Sequence, residues 1–423
     1  MSIFANIPLK KLILLWACWA ILILGFQQVI PMRFQPQRPD RVLFWTGTET
    51  GRLSQNNKPY LIEPFLNEHV SFDSEYYLSI AIAGYDDPIG RDVSRAGNSY
   101  NLNYAFFPFY PLVMRLVAIP LGAFGLNPIA THTLAGVIVS LLATLAAIIS
   151  LFDLSQDKLG QDGAFRAVFY FLIFPTAFFL AQVYTEAMFV GLAFSSLAVM
   201  YRSNGRFHWM FVAAILAGFA TITRAVGIAL AFALIAQSIA NEPEGYRFTL
   251  CPPPVKAFLQ GLLFAAVPIG VYLVWAMSGL GEGFRFVETN FFGRGALMIV
   301  PSMYGWSLAL TSIYDTSFLT GEQSQTAVYF AIEIFAVLLA LFACLKVRKN
   351  FPALFMFSIL AWTIAVFSGS PQSNVRYMLA LPAVFVFLGS MGRHPVFDRV
   401  WTIASILLLA VLTALYTFDF WVA

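Results

Sequence analysis

Read from its start, the chain falls into apolar blocks of about 16 to 25 residues parted by short polar stretches. A helix needs ~20 residues to cross ~30 Å of hydrocarbon. Lipid offers backbone amides no hydrogen-bond partner, so such blocks are predicted to be helices; the short alternating strands of a barrel have no counterpart here. The candidate spans are residues 9–30, 128–152, 166–183, 184–201, 207–222, 225–240, 257–280, 326–346, 351–367, 377–391 and 400–421, eleven in all. The block 105–124, AFFPFYPLVMRLVAIPLGAF, is long enough to be another, but it carries Pro108, Pro111, Pro120 and Arg115.

Charge arbitrates. If 105–124 does not cross and Lys10 and Lys11 hold the N-terminus inside, then Lys158, Arg166, Arg202, Arg206, Arg247, Lys256, Lys346, Arg348, Lys349, Arg393 and Arg399 all fall at cytoplasmic span ends, as the positive-inside rule prefers. A crossing at 105–124 would invert every one of them. The block is therefore expected to be re-entrant or interfacial, which leaves 31–127 and 281–325 as external loops and the C-terminus outside. Apolar aromatic stretches broken by Gly and Pro, Phe284 to Phe292 and Tyr304 to Tyr314, make 281–325 a candidate lid.

Composition agrees: 59% of the 423 residues are hydrophobic and 11% charged, far from a soluble domain. The first block is too long for a signal peptide, and PMRFQPQRPD behind it offers no small-residue cleavage pattern. Without repeats or a separate soluble unit, the chain is expected to form a single all-α polytopic membrane domain over 1–423, with surface helices in its long first external loop. Cys18, Cys251 and Cys344 and the four histidines show no ligand spacing.

On this topology Asp73, Glu75, Arg115, Glu186, Arg224 and Arg376 sit at or near external span ends, where ionisable groups are costly and mark function. SFDSEYYLSIAIAGYD, residues 71–86, reads as a helix too short to span. Residues two apart point to different faces, so Asp73 and Glu75 do not jointly hold one metal on a regular helix. Either serves as a base, or Asp73 caps the helix. Glu186 lies at a turn, ligand or merely solvated. Arg224, in ATITRAVG, needs an anion, whether a phosphate or a structural carboxylate. GEGFRF and FFGRGALM lack phosphate-loop spacing. With no nucleotide fold in view, a donor already in the membrane fits best.

Taken in order, SFDSEYYLSIAIAGY, AFFPFYP, PTAFFLAQVYTE, ATITR and Arg376–Tyr377 before LALP resemble the motifs of the PIG-V family, the second mannosyltransferase of GPI-anchor synthesis, and through it the GT-C glycosyltransferases. Ser71 and Phe72 stand where that family has Arg and Trp. The resemblance implies a GT-C-type fold and inverting transfer of a sugar, mannose in the family, from polyprenyl or dolichyl phosphate to a glycolipid, glycan or protein acceptor. Asp73, or Glu75, would be the catalytic carboxylate. Arg224, Arg376 and Arg115 would hold the phosphate, and Glu186, Tyr76 and Tyr377 would complete the substrate site. No cofactor is required, although a divalent Mg or Mn ion is compatible with the carboxylates, and no nucleic-acid partner is expected. The short loops point to a bacterial plasma membrane with an external site, or to a lumenal site if the source is eukaryotic. A lipid or solute transporter explains multiple spans and buried charge equally well, and a non-catalytic assembly subunit is a third reading.

Overall fold

A computed structural model describes residues 7–39, 43, 46, 50, 58–241, 255–314 and 324–422. Arg247, Cys251 and part of the 281–325 loop lie outside the described residues. The chain begins with α1 (Leu9–Arg33), then α2 (Ser74–Ile82), a hairpin of β1 (Asp92–Arg95) and β2 (Asn98–Asn101), and α3 (Phe109–Leu121). Next come α4 (Pro128–Leu172), α5 (Thr185–Arg202), α6 (Phe207–Thr221), α7 (Ala229–Ala240), α8 (Val255–Ala276), α9 (Gly279–Val287) and α10 (Ile299–Tyr314). The rest is α11 (Ser324–Val347), α12 (Pro352–Val366), α13 (Asn374–Met378), α14 (Pro382–Met391) and α15 (Pro395–Thr417). Among the described residues five helices, in α1, α4, α8, α11 and α15, are long and apolar enough to cross a membrane, and shorter apolar helices pack among them. The protein is a multi-pass integral membrane protein.

The boundaries differ from expectation where prolines and glycines intervene. The spans expected at 128–152 and 166–183 form one helical run that turns back at Gly160, whose φ of 72° and ψ of 174° break the helix. Its polar extension past Phe152 begins with Asp153, which is buried and paired with Arg202 at 3.0 Å. The second run stops at Leu172 because Pro175 lacks an amide and disfavours helix before it; a 3₁₀ turn, Ala177–Ala181, replaces the expected helix end. Pro382 likewise divides the block 377–391 into α13 and α14. The fold is not purely α: the antiparallel hairpin pairs Asp92 with Asn101 and Arg95 with Asn98, its turn made at Ala96 and Gly97, both at positive φ.

The helices share two ends. At one, Gln27 of α1 donates to the Glu68 carbonyl at 2.7 Å and accepts from Gln182 at 2.9 Å, with Thr417 of α15 alongside. At the other, Arg202 grips Asp153 and Asp157, and Tyr170 donates to Asp398 at 2.6 Å. Other basic residues gather there: Lys11 lies over the Phe165 ring at 6.0 Å, and Arg166 donates to the Gly389 carbonyl at 3.4 Å. Both ends of α3 stay on the first side: the Phe109 amide bonds the Ile222 carbonyl at 3.1 Å, and Asn127, just past α3, donates to Glu63 at 2.7 Å. At 13 residues α3 is short for a membrane crossing.

Candidate active site

On the first side the helices part around a cavity of about 660 Å³ lined by residues from α2, α5, α13, the turn before α7, the 284–296 stretch and the C-terminal tail. Asp73 enters it from the start of α2. The Ser71 amide donates to the Ser74 hydroxyl at 3.1 Å, the Asp73 amide donates to the Tyr184 hydroxyl at 3.1 Å, and Tyr184 donates to the Ser71 carbonyl at 3.0 Å. The Asp73 carboxylate makes no capping bond to α2. It faces the Arg376 guanidinium at 3.5 Å instead, so capping is not its role in this geometry. Burial at the cavity wall raises the Asp73 carboxyl above the usual carboxylate range, opposed chiefly by Arg376.

Glu186, the second residue of α5, is buried near a helix N-terminus, where negative charge is favoured. It pairs with Arg224 and lies 3.3 Å from Arg376 Nε. The Arg224 Nη1 also reaches the Thr185 hydroxyl at 3.3 Å. Arg376 is nearly enclosed, with its guanidinium against the rings of Phe179, Tyr184 and Tyr377 at 5.2, 5.5 and 5.3 Å. Tyr377 is the hub: Arg224 and Arg294 also lie over its ring, at 5.3 and 5.6 Å, and Arg294 donates to its hydroxyl at 2.5 Å. The sequence reading missed Arg294 and its neighbour Glu288, because both sit in a stretch read only as a lid. Burial pushes the Glu288 carboxyl up to about 7, with Arg294 opposing and Asp73 adding to the shift.

The other candidates divide. Glu75 lines the cavity but is tied to Arg91 at 2.8 Å, and Tyr76 stacks on Phe106 at 4.6 Å while its hydroxyl accepts from Arg91. Glu75 is buried and held closely by its arginine, whereas Asp73 keeps a more exposed carboxylate and a longer contact to Arg376, which makes Asp73 the better placed base. Arg115 stands apart from the cavity. Its Nε and Nη2 donate to the carbonyls of Ala81 and Ile80 at 2.7 and 2.9 Å, closing the C-terminus of α2, where positive charge suits the helix dipole. The expected lid does reach the site: Phe292 meets Tyr76 edge-on at 6.3 Å, and Arg294 donates to the Gln372 carbonyl at 3.3 Å. Among the described residues no group of three or more His, Cys, Asp or Glu converges to hold a metal ion.

Around Tyr377 the guanidinium groups of Arg224, Arg294 and Arg376 confront the carboxylates of Asp73 and Glu186, three cationic side chains to two acidic ones. A low-dielectric cavity of that balance favours an anion. The Asp73 carboxylate beside these three arginines makes the cavity the candidate site. In sequence the chain is similar to the PIG-V mannosyltransferases: the family model described as "Mannosyltransferase (PIG-V)" matches residues 54–242, which include Asp73, Glu75, Arg115, Glu186 and Arg224. GPI alpha-1,6-mannosyltransferase 2 of Cricetulus griseus is 30% identical over 152 residues, 34% of this chain and 27% of that protein; the Rattus norvegicus protein of the same name is 31% identical over 149 residues, with the same shares. The matched stretch thus spans about a quarter of those relatives. Among solved structures, ArnT from Cupriavidus metallidurans bound to undecaprenyl phosphate matches at 15% identity and TM-score 0.46, covering 82% of this chain and 61% of that one. The archaeal oligosaccharyltransferase AglB from Archaeoglobus fulgidus, in complex with an inhibitory peptide and a dolichol-phosphate, matches at 15% identity and TM-score 0.41, covering 95% and 55%.

Proposed function

We propose that this protein is an inverting glycosyltransferase that moves a sugar, mannose by its family likeness, from a polyprenyl or dolichyl phosphate to a hydroxyl of a glycolipid, glycan or protein. The observation that carries this reading is the Asp73 carboxylate, open to a cavity into which Arg224, Arg294 and Arg376 gather around Tyr377, Arg376 at 3.5 Å from Asp73. In this scheme the acceptor oxygen attacks the anomeric carbon while Asp73 takes its proton. The bond from that carbon to the phosphate oxygen breaks, its electron pair leaves with the lipid phosphate, and the arginines stabilise the charge that grows there. Glu186, which contacts both Arg224 and Arg376, would hold these two guanidinium groups together. Among the described residues, five membrane-length helices with shorter apolar helices between them leave room for the eleven traverses the sequence predicts, an arrangement that would put the basic side in the cytoplasm and the cavity outside.

The test is incubation of the purified protein with labelled polyprenyl-phosphate mannose and a glycolipid extract. Transfer of label into an acceptor fraction is expected. Binding of the donor without turnover by any acceptor would favour transport or assembly instead.

A further inference from the structure

Glu333 stands ten residues into the 24-residue apolar helix α11 and is fully buried. A carboxylate there is costly unless hydrogen bonds compensate. The compensation comes from main chain: the Ser373 amide donates to its Oε1 at 2.9 Å and the Val375 amide to its Oε2 at 2.7 Å. Those amides start α13, five residues long, which carries Arg376 and Tyr377. A helix so short does not hold itself. Ser373 moreover lies at φ 67°, a conformation imposed from outside on a non-glycine residue.

The same carboxylate reaches further. Tyr329, one turn earlier in α11, hydrogen-bonds Glu333. Its hydroxyl accepts from the Ser373 amide at 3.1 Å and from the Trp421 indole at 3.3 Å. Trp421 in turn meets Phe72 edge-on at 5.4 Å, and Phe72 precedes Asp73. One buried acid therefore ties the segment bearing two anion-facing residues to the segment bearing the open carboxylate.

We propose that Glu333 is a positioning residue, fixing α13 and, through Tyr329 and Trp421, its spacing from Asp73, and so setting the cavity's grip on a lipid phosphate. The phosphate part rests on the function proposed above; the placement of Arg376 does not. Glu333→Gln keeps the volume but turns an amide NH₂ toward one of the two main-chain amides, so only one of those two bonds survives.

The experiment compares full-length wild type, Glu333→Gln and Tyr329→Phe in detergent by two measurements: the rate at which phenylglyoxal modifies Arg376, followed by mass spectrometry, and the affinity for undecaprenyl phosphate. Loss of a hydrogen bond to a charged group is expected to weaken undecaprenyl phosphate binding about tenfold in Glu333→Gln, with a smaller loss in Tyr329→Phe. Arg376 should be modified faster in the same order, at temperatures where every variant is folded. Should Glu333→Gln not fold, the Tyr329→Phe shift decides the matter. Unchanged Arg376 reactivity in the folded variants, or a lowered melting temperature alone, overturns the proposal. If undecaprenyl phosphate fails to bind even wild type, the proposed function falls, and Arg376 reactivity still decides the role of Glu333.

Discussion

Asn keeps the shape of Asp73 and caps a helix about as well, but it takes no proton. Asp73→Asn is therefore expected to lower turnover at least ~10²-fold with expression and donor binding nearly unchanged, as measured with defined donor and acceptor. Full activity would move the assignment to Glu75, Glu186 or Glu288. Arg224→Lys offers the contrast: the charge remains, but the planar fork that pairs with Glu186 and grips phosphate oxygens is lost. It should raise the donor KM more than it lowers kcat. The residues legible in the sequence, Asp73, Glu186, Arg224 and Arg376, are those whose charge is expensive at a membrane boundary. The same rule also picks out Arg115, whose cost is met by the Ile80 and Ala81 carbonyls, a partner that no side-chain pattern displays. Arg294 and Glu288 escape it because charge in a Gly-rich loop costs little. Glu333 is legible in principle, an acid inside an apolar block, but the block as a whole reads as an ordinary span.

Elements place these groups. The turn between α6 and α7 brings Gly227 against the end of α6, where an added Cβ would lie 2.6 Å from the Thr221 amide nitrogen and Cα. Backbone at that distance has to move, and Arg224 moves with it. Gly227→Ala is expected to destabilise the protein by about 1–3 kcal/mol, as overpacking does, and to weaken donor binding; thermal melting and a binding titration read the two effects. The 284–296 stretch supplies Arg294 to the wall. Arg294→Ala removes one charge-assisted contact and should cost roughly tenfold in donor affinity, while leaving the fold, held elsewhere, intact. Helix existence is legible because apolar length dictates it. The hairpin is not, since β1 and β2 are short and polar and carry no alternating apolar face. The break at Gly160 and the division before Pro382 depend on where a turn has room to form, which packing decides.

At the scale of the whole molecule, topology is the sharpest expectation. Single cysteines placed at Gly125 and Lys158 should label from outside and inside the cell, respectively, with membrane-impermeant reagents. The reverse result would overturn the orientation and the external site together. The charge pattern carries this reading because it counts ends rather than contacts.

The C-terminal tail also sets an order of events. Asp419 accepts from the Ser71 hydroxyl at 2.9 Å and pairs with Arg38, and Trp421 and Val422 form part of the cavity wall. Asp73 is synthesised 303 positions before Arg376, and the tail that braces its loop emerges later still. The cavity wall is therefore incomplete until α15 and the tail behind it are in place. If the proposed transferase activity is right, a chain truncated before α15 should insert in the membrane yet transfer no labelled mannose.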